Sequence, residues 1–429
     1  MNYPETINYL FNSTPVFEHV GASAYKENLF NTITLDKHFR HPHRLFKSIH
    51  IAGTNGKGSC AHTLASILQE DGYKVGLYTS PHLIDFKERI RVNGAPIDER
   101  YVINFIENER SFFELLHPSF FELTTALAFK YFAHQQVDIA VIEVGLGGRL
   151  DCTNIISPFL SVITNISFDH TALLGTSLAA IATEKAGIIK PHTPVIIGET
   201  CAETKPVFIN VANQKQAPIT FAEDISEVIY AESTQEGGLL LQTKTYNGIS
   251  YQLGGLYQKQ NANTILAAAG LLLSTNIIHT SQSIKRGMEK VCQNTGLKGR
   301  WQYLHHQPNV VCDTGHNYAG WQYINQQLQA QTFKMLHIVF GMVNDKDIKS
   351  VLKLLPQTAK YYFTNASTQR SIPAKDIQLL AAKEGLNGQV FTDVKSAYDT
   401  ALAEADKEDF VFIGGSSYVV ADLLSALAH

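Results

Sequence analysis

The chain has 429 residues, 17% of them charged and 45% hydrophobic, with a formal net charge of −4. That length exceeds what one core serves at roughly 150 residues per domain, so two large domains are expected, while the slight negative charge offers no basic field to a phosphate backbone and argues against nucleic acid. The five cysteines, at 60, 152, 201, 292 and 312, form no C-x-x-C pair, which argues against a disulfide framework or a structural zinc site.

In chain order, the opening MNYPETINYLF lacks the regions of a secretory signal. The first 40 residues read as helical and polar-aromatic. LFKSIHIAG then reads as a strand entering a glycine-rich loop, and residues 60–70 as a helix with Ala61, Leu64, Ala65 and Leu68 on one face, ended by Asp71 and Gly72. KVGLYT, VDIAVIEVG and LSVITNI read as strands and FELTTALAFKYFAHQQ as a helix with an apolar stripe. This alternation implies right-handed crossovers and a mostly parallel sheet. Residues 195–253 change to short polar-alternating pieces such as GGLLLQTKTY and GISYQL, which read as antiparallel strands at a sheet edge. NANTILAAAGLLLS follows as a buried helix, its apolar run far shorter than the ~18 residues of a membrane span. A cytoplasmic protein without membrane contact is expected.

A second alternation follows NTGLKGRWQ, with strands NVVCD, MLHIVFGM, AKYYFTN, GQVFTD and DFVFIGG between helices such as IQLLAAKEG and AYDTALAEAD. Glycines 296 and 299 flank a turn that places the boundary near Leu297. The expected fold is α/β: a large N-terminal P-loop-type domain with a mostly parallel sheet, and a smaller C-terminal Rossmann-like α/β domain.

Phosphate binding needs converging N–H groups, a tight turn, a positive charge and a helix N-terminus. Gly53, Thr54, Asn55, Gly56, Lys57, Gly58 and Ser59 supply all four, although Gly58 separates the lysine from the hydroxyl, unlike G-x-x-x-x-G-K-[ST]. Glu143 lies near the C-terminal end of a buried strand, the end that faces the ligand crevice in parallel sheets; either it serves a ligand, or it is satisfied by Arg149 or by loop N–H groups. Asp169 and His170 end another strand, and His170 is either a ligand or a core histidine, since magnesium prefers oxygen. Lys185, followed by AGII, is set for a lowered pKa. It is either a neutral amine able to take up carbon dioxide as a carbamate, or one half of a salt bridge to Glu184 or Glu143. In the second unit Arg300 precedes CDTGHN, where an arginine can reach a transferring phosphoryl group and Asp313 can bind ribose or orient a lysine or water.

AGTNGKGS, TSPHL with ERIRV, FELTTALAF, EVGLGGRLDCTN, FDHTALLG with EKAGIIK, GLYQKQNA, GRWQ, DTGHN and NDKD together resemble the folylpolyglutamate synthase and dihydrofolate synthase family of the Mur ligase superfamily, ATP-dependent amide-forming enzymes, from about residue 45 to 420. The extra Gly58 is that superfamily's own form of the loop. The resemblance implies an ATP-binding Mur-ligase-type domain with folate-binding loops over 1–296 and a Rossmann-like ligase domain over 297–429. It implies that residues 53–59 bind the ATP phosphates, that Ser80, Glu143 and His170 hold Mg²⁺, and that Lys185 is carbamylated. Gln258 and Asn261 fall in the nucleotide segment, Arg300, Asp313 and His316 serve ATP and the reacting groups, and Phe121 and Arg89 lie beside the pterin or folate. The chain departs from the family's D-G-A-H-N at Thr314 and Gly315 and from its usual histidine at Tyr257. The expected activity joins L-glutamate to dihydropteroate or a folyl(poly)glutamate through an acyl phosphate, by a monomer acting on small molecules. Two alternatives are a ligase acting on a cell-wall nucleotide precursor, against which FELTTALAF and TSPHL speak, and a nucleotide-binding regulator without ligase activity, suggested by the altered DTGHN.

Overall fold

A computed structural model describes residues 1–12 and 28–428. Helices Tyr3–Asn12 and Phe30–His38 meet the helical expectation for the first 40 residues on either side of 13–27, which lie outside the described residues. The chain divides into two compact units. The first holds Met1–Ala231, Leu241–Tyr251 and Gln258–Leu297; the second holds Glu232–Leu240, Gln252–Tyr257 and Lys298–His429. The second unit is thus more than one contiguous stretch.

The first unit is built on an eight-stranded sheet of order β4-β3-β2-β5-β1-β6-β7-β8. Its strands are β1 (Lys47–Ala52), β2 (Val75–Tyr78), β3 (Ile90–Val92), β4 (Ala95–Pro96), β5 (Ile139–Glu143), β6 (Leu160–Ile163), β7 (Val195–Ile197) and β8 (Ile219–Phe221). β1 pairs in parallel with β5 and β6, aligning Ile51 with both Glu143 and Val162. The six neighbours β2-β5-β1-β6-β7-β8 pair in parallel, and only the β2–β3 and β3–β4 pairs at one edge are antiparallel. SIHIA, IAVIE and LSVI are buried along their whole length, as a sheet covered on both faces requires. The parallel arrangement puts the residues that follow β1, β2, β5 and β6 at one edge of the sheet.

Residues 195–253 differ from the expected antiparallel edge. β7 and β8 extend the parallel sheet, with helix Lys205–Lys215 between them. The alternating pieces form a separate three-stranded sheet, β11-β10-β9, from β9 (Val228–Ser233), β10 (Leu239–Thr243) and β11 (Gly248–Tyr251). Three-residue strands such as VII and ITF are too short to show a period, whereas LLLQT buries every second side chain and so shows its period plainly.

Helix Lys57–Glu70 is buried from Ser59 to Leu68 and packs against helices Gln258–Ser274 and Ser281–Glu289. The last of these approaches closely: Ser66 Oγ donates to Gly287 O at 2.6 Å. Nearby, helix Phe120–Gln135 starts at a capping box in which Ser119 and Glu122 satisfy each other's backbone N–H groups.

The second unit carries a six-stranded sheet of order β12-β13-β17-β14-β15-β16. β12 (Gln302–His305) is antiparallel to β13 (Asn309–Cys312), while β14 (Leu336–Phe340), β15 (Lys360–Phe363), β16 (Gly388–Val390) and β17 (Phe410–Gly414) continue in parallel. The five strands read from the sequence are present, and β12 is an added edge strand. Trp321 anchors this core edge-on to Phe340 and Phe412, at 5.5 and 5.7 Å between ring centroids.

The Gly287 crossing sets two effects against each other. Alanine in a helix interior gains about 1 kcal/mol over glycine. Here, however, a Cβ would fall 2.4 Å from Ile67 Cα, and overpacking of that kind costs about 1–3 kcal/mol. Sterics should win, so G287A is expected to lower the urea midpoint followed by circular dichroism. A midpoint equal to or above wild type would contradict the close packing.

Candidate active site

The loop after β1 is shaped by what surrounds it. Gly53 has φ 145° and Gly56 φ 84°. A Cβ on Gly53 would fall 1.8 Å from Thr164 Oγ1, and one on Gly56 would fall 2.2 Å from Asn261 Oδ1, so both positions need glycine for conformation and for room. The chain leaving β6 supplies the mould. Thr54 N donates to Asn165 O and Asn55 N to Asn165 Oδ1, both at 2.9 Å; Thr54 Oγ1 donates to Ser167 O at 3.1 Å, and Thr164 Oγ1 donates to Asn55 O at 2.6 Å.

Helix Lys57–Glu70 starts directly after this turn, its first internal bond running from Cys60 N to Gly56 O. The N–H groups of Lys57, Gly58 and Ser59 precede that bond at the positive end of the helix dipole, which makes an anion site. Ser59 Oγ accepts from Gln258 Nε2 at 3.0 Å, and Gln258 Oε1 accepts from Asn261 Nδ2 at 2.8 Å. Gln258 and Asn261 therefore reach the loop from the opening turn of another helix.

Two lysines grip the same turn. Lys57 Nζ donates to Thr54 O at 3.2 Å and Lys185 Nζ to Gly53 O at 2.9 Å. Lys185 is buried, and that burial, helped by the charge of Lys57, pushes its pKa down to about 7; Asp169 and Asp151 oppose the shift. Of the two carboxylates that could pair with Lys185, Glu184 accepts instead from Arg149, whose Nε and Nη2 donate to its Oε1 at 3.0 and 2.9 Å.

Glu143 is buried at the top of β5, where its Oε2 accepts from Ser80 N at 3.2 Å. This brings Ser80, from the end of β2, beside the carboxylate. His170 has φ 49°, its N–H donates to Asp169 Oδ1 at 2.9 Å, and its ring is partly exposed, so it is no core histidine. His50 fills that role, fully buried with Nε2 2.8 Å from Thr153 Oγ1 and held down to about 3 by burial.

Phe121 lies against the chain just past Glu143: a Cβ on Gly145 would be 2.4 Å from its ring, which stacks on Tyr78. Arg89 ends the short 3₁₀ turn Phe86–Arg89. It is buried, donates from Nε to His82 Nδ1 at 2.7 Å and sits 5.0 Å from the Phe120 ring centroid, bracing the segment that carries Ser80. Asp151, not singled out from the sequence, shapes the glycine-rich turn after β5 by accepting from Leu146 N at 2.9 Å and Thr153 N at 3.0 Å. An aspartate two residues before a threonine is the local capping signal that marks it. Burial raises its pKa.

In the second unit Asp313 follows β13 and is buried, accepting from Trp301 N (2.7 Å), Tyr257 OH (2.6 Å) and Gly315 N (2.8 Å). Burial raises its pKa, while these donors and the charge of Arg300 pull it down. Tyr257 thus keeps a donor on Asp313 where the family has histidine. Arg300 Nη1 donates to Gly299 O at 3.3 Å and to Thr314 Oγ1, and His316 Nδ1 lies 3.1 Å from Thr314 O.

Lys57, Ser80, Glu143, His170, Lys185, Gln258 and Asn261 thus belong to the first unit, and Arg300, Asp313 and His316 to the second. Residues 51–272 match the Mur ligase middle domain and residues 299–417 the Mur ligase glutamate ligase domain. Dihydrofolate synthase/folylpolyglutamate synthase of Bacillus subtilis is 34% identical over 401 residues, covering 90% of this chain and 92% of its own. Its Escherichia coli counterpart is 34% identical, with 88% and 86% covered. The folylpolyglutamate synthase of Mycobacterium tuberculosis complexed with ADP superposes with TM-score 0.87 at 29% identity, over 99% of this chain and 98% of its own. E. coli FolC in complex with DHPP and ADP gives 0.82 at 30% identity, over 100% and 98%. Since both Mur ligase domains match in order and the B. subtilis relative aligns over nine-tenths of the chain, this protein belongs to the dihydrofolate synthase/folylpolyglutamate synthase family of Mur ligases.

Proposed function

We propose that this chain is an ATP-dependent ligase joining L-glutamate to dihydropteroate and to folylpolyglutamates through an acyl phosphate. The observation that carries the reading is the phosphate loop moulded between β1 and β6, with two lysines on its carbonyls. The B. subtilis and E. coli relatives are named for both activities, which supports both here.

Amide formation in water is uphill, so the acid must first become an acyl donor. Its carboxylate attacks the γ-phosphoryl group of ATP, releasing ADP; the glutamate amine then attacks the acyl carbon and phosphate leaves. The barrier to the first step is repulsion between two anions, which preorganised positive groups offset. The amides of Lys57, Gly58 and Ser59 hold the phosphates, Lys57 neutralises them, and Arg300 faces the transferring group. Asp313 takes the ribose, His316 serves the reacting groups, and Phe121 flanks the pterin.

Magnesium fits the donors at the strand tops: one buried carboxylate beside a serine suits an ion that keeps waters and shares substrate phosphates. Ser80 and Glu143 would hold it, with His170 as a nitrogen donor, and when bound it supplies further charge neutralisation. Lys185, with its pKa near 7, is largely free amine above that pH. As free base it adds CO₂ to form a carbamate and loses one proton, which turns a neutral amine beside Lys57 into an anion.

Phosphate release from Mg-ATP is expected only when both the carboxylate substrate (dihydropteroate or tetrahydrofolate) and glutamate are present; hydrolysis independent of both would contradict ligase function. E143A should keep its melting curve yet lose at least about 100-fold in turnover, the size of effect usual when transition-state charge stabilisation is removed. Undiminished ADP release in that variant would count against the metal role. Because ammonium cannot react with CO₂, turnover of CO₂-depleted enzyme should be restored by bicarbonate at pH 8 far better than at pH 6, with a ¹³C carbamate resonance absent from K185R. Equal turnover with and without bicarbonate at pH 8 would exclude the carbamate.

A further inference from the structure

Arg300 carries no rigid support of its own: its long side chain has many rotamers, and its neighbour Gly299 has no side chain. What orders it is Thr314, which stands where the family motif has glycine. Arg300 Nη1 donates to Thr314 Oγ1, and that hydroxyl donates to Gly299 O at 3.1 Å, while Thr314 N donates to the same carbonyl at 3.0 Å. One hydroxyl supplies one hydrogen and two lone pairs, so Thr314 can donate to the carbonyl and accept from arginine at the same time. Thr314 is itself fixed, being β-branched, buried and adjacent to Asp313 with its three donors. Among the described residues the hydrogen bonds of Arg300 run through Nη1 alone, which leaves Nε and Nη2 as a pair for an incoming oxyanion.

We propose that Thr314 is a positioning residue that holds Arg300 in the orientation needed at the transferring phosphoryl group. This rests on the role given above to Arg300. The experiment compares T314V, T314S and R300A with wild type in glutamate-dependent phosphate release, with thermal melts in parallel. T314V removes the hydroxyl at nearly constant volume and should lower kcat about tenfold with KM for glutamate unchanged, as loss of orientation does. T314S should stay within about twofold of wild type, and R300A should fall further than T314V. Wild-type kcat in T314V, or equal impairment in T314S, overturns the proposal. Should T314V melt early, T314A reads the same loss of the hydroxyl with a smaller side chain. Wild-type kcat in R300A removes the role of Arg300 itself, a different result from failure of Thr314 alone.

Discussion

Much of the site follows from one steric constraint: at Gly56 the backbone has φ 84° with Asn261 Oδ1 where a Cβ would be. No other residue fits both demands, so the turn can close, the helix can begin at Lys57, and its first amides can converge. The constraint is shared among three elements. The tail of β6 moulds the loop through Thr164, Asn165 and Ser167, the helix carrying Gln258 and Asn261 closes it, and Lys185 ties down Gly53 O. A loop made this way is rigid before a nucleotide arrives, which lowers the ordering cost of binding.

Placing charge at such a turn is costly, and the structure spreads that cost. Burial of Lys185, reinforced by repulsion from Lys57, brings its pKa down to about 7. Buried carboxylates are handled by donors: Asp151 by two amides of its own turn, Asp313 by Trp301, Tyr257 and Gly315. In each case the low-dielectric setting makes a lone charge expensive, and the donors offset that cost.

The features legible in the sequence were those with a local physical signature. Fully buried parallel strands such as IAVIE show as unbroken apolar runs, and glycine spacing next to a lysine marks the phosphate turn. Glu143 and His170 are legible as candidates because polar residues at strand tops stand out against apolar runs. What could not be read depends on partners far away in the chain. Short β7 and β8 belong to the large sheet only because neighbours pair with them. Arg89 is buried beside Phe120, a contact its own neighbours in sequence do not announce, and Thr164 acts through its fit to Gly53, which no spacing reveals.

The most direct test of the central claim is calorimetric titration of ADP into wild type and G56A, each checked for the same melting transition. A strained αL side chain costs about 1–3 kcal/mol, and displacement of Asn261 adds to it. Affinity should therefore drop tenfold or more in a protein that remains folded. A G56A protein that binds ADP as tightly as wild type would mean that the loop does not hold the phosphates.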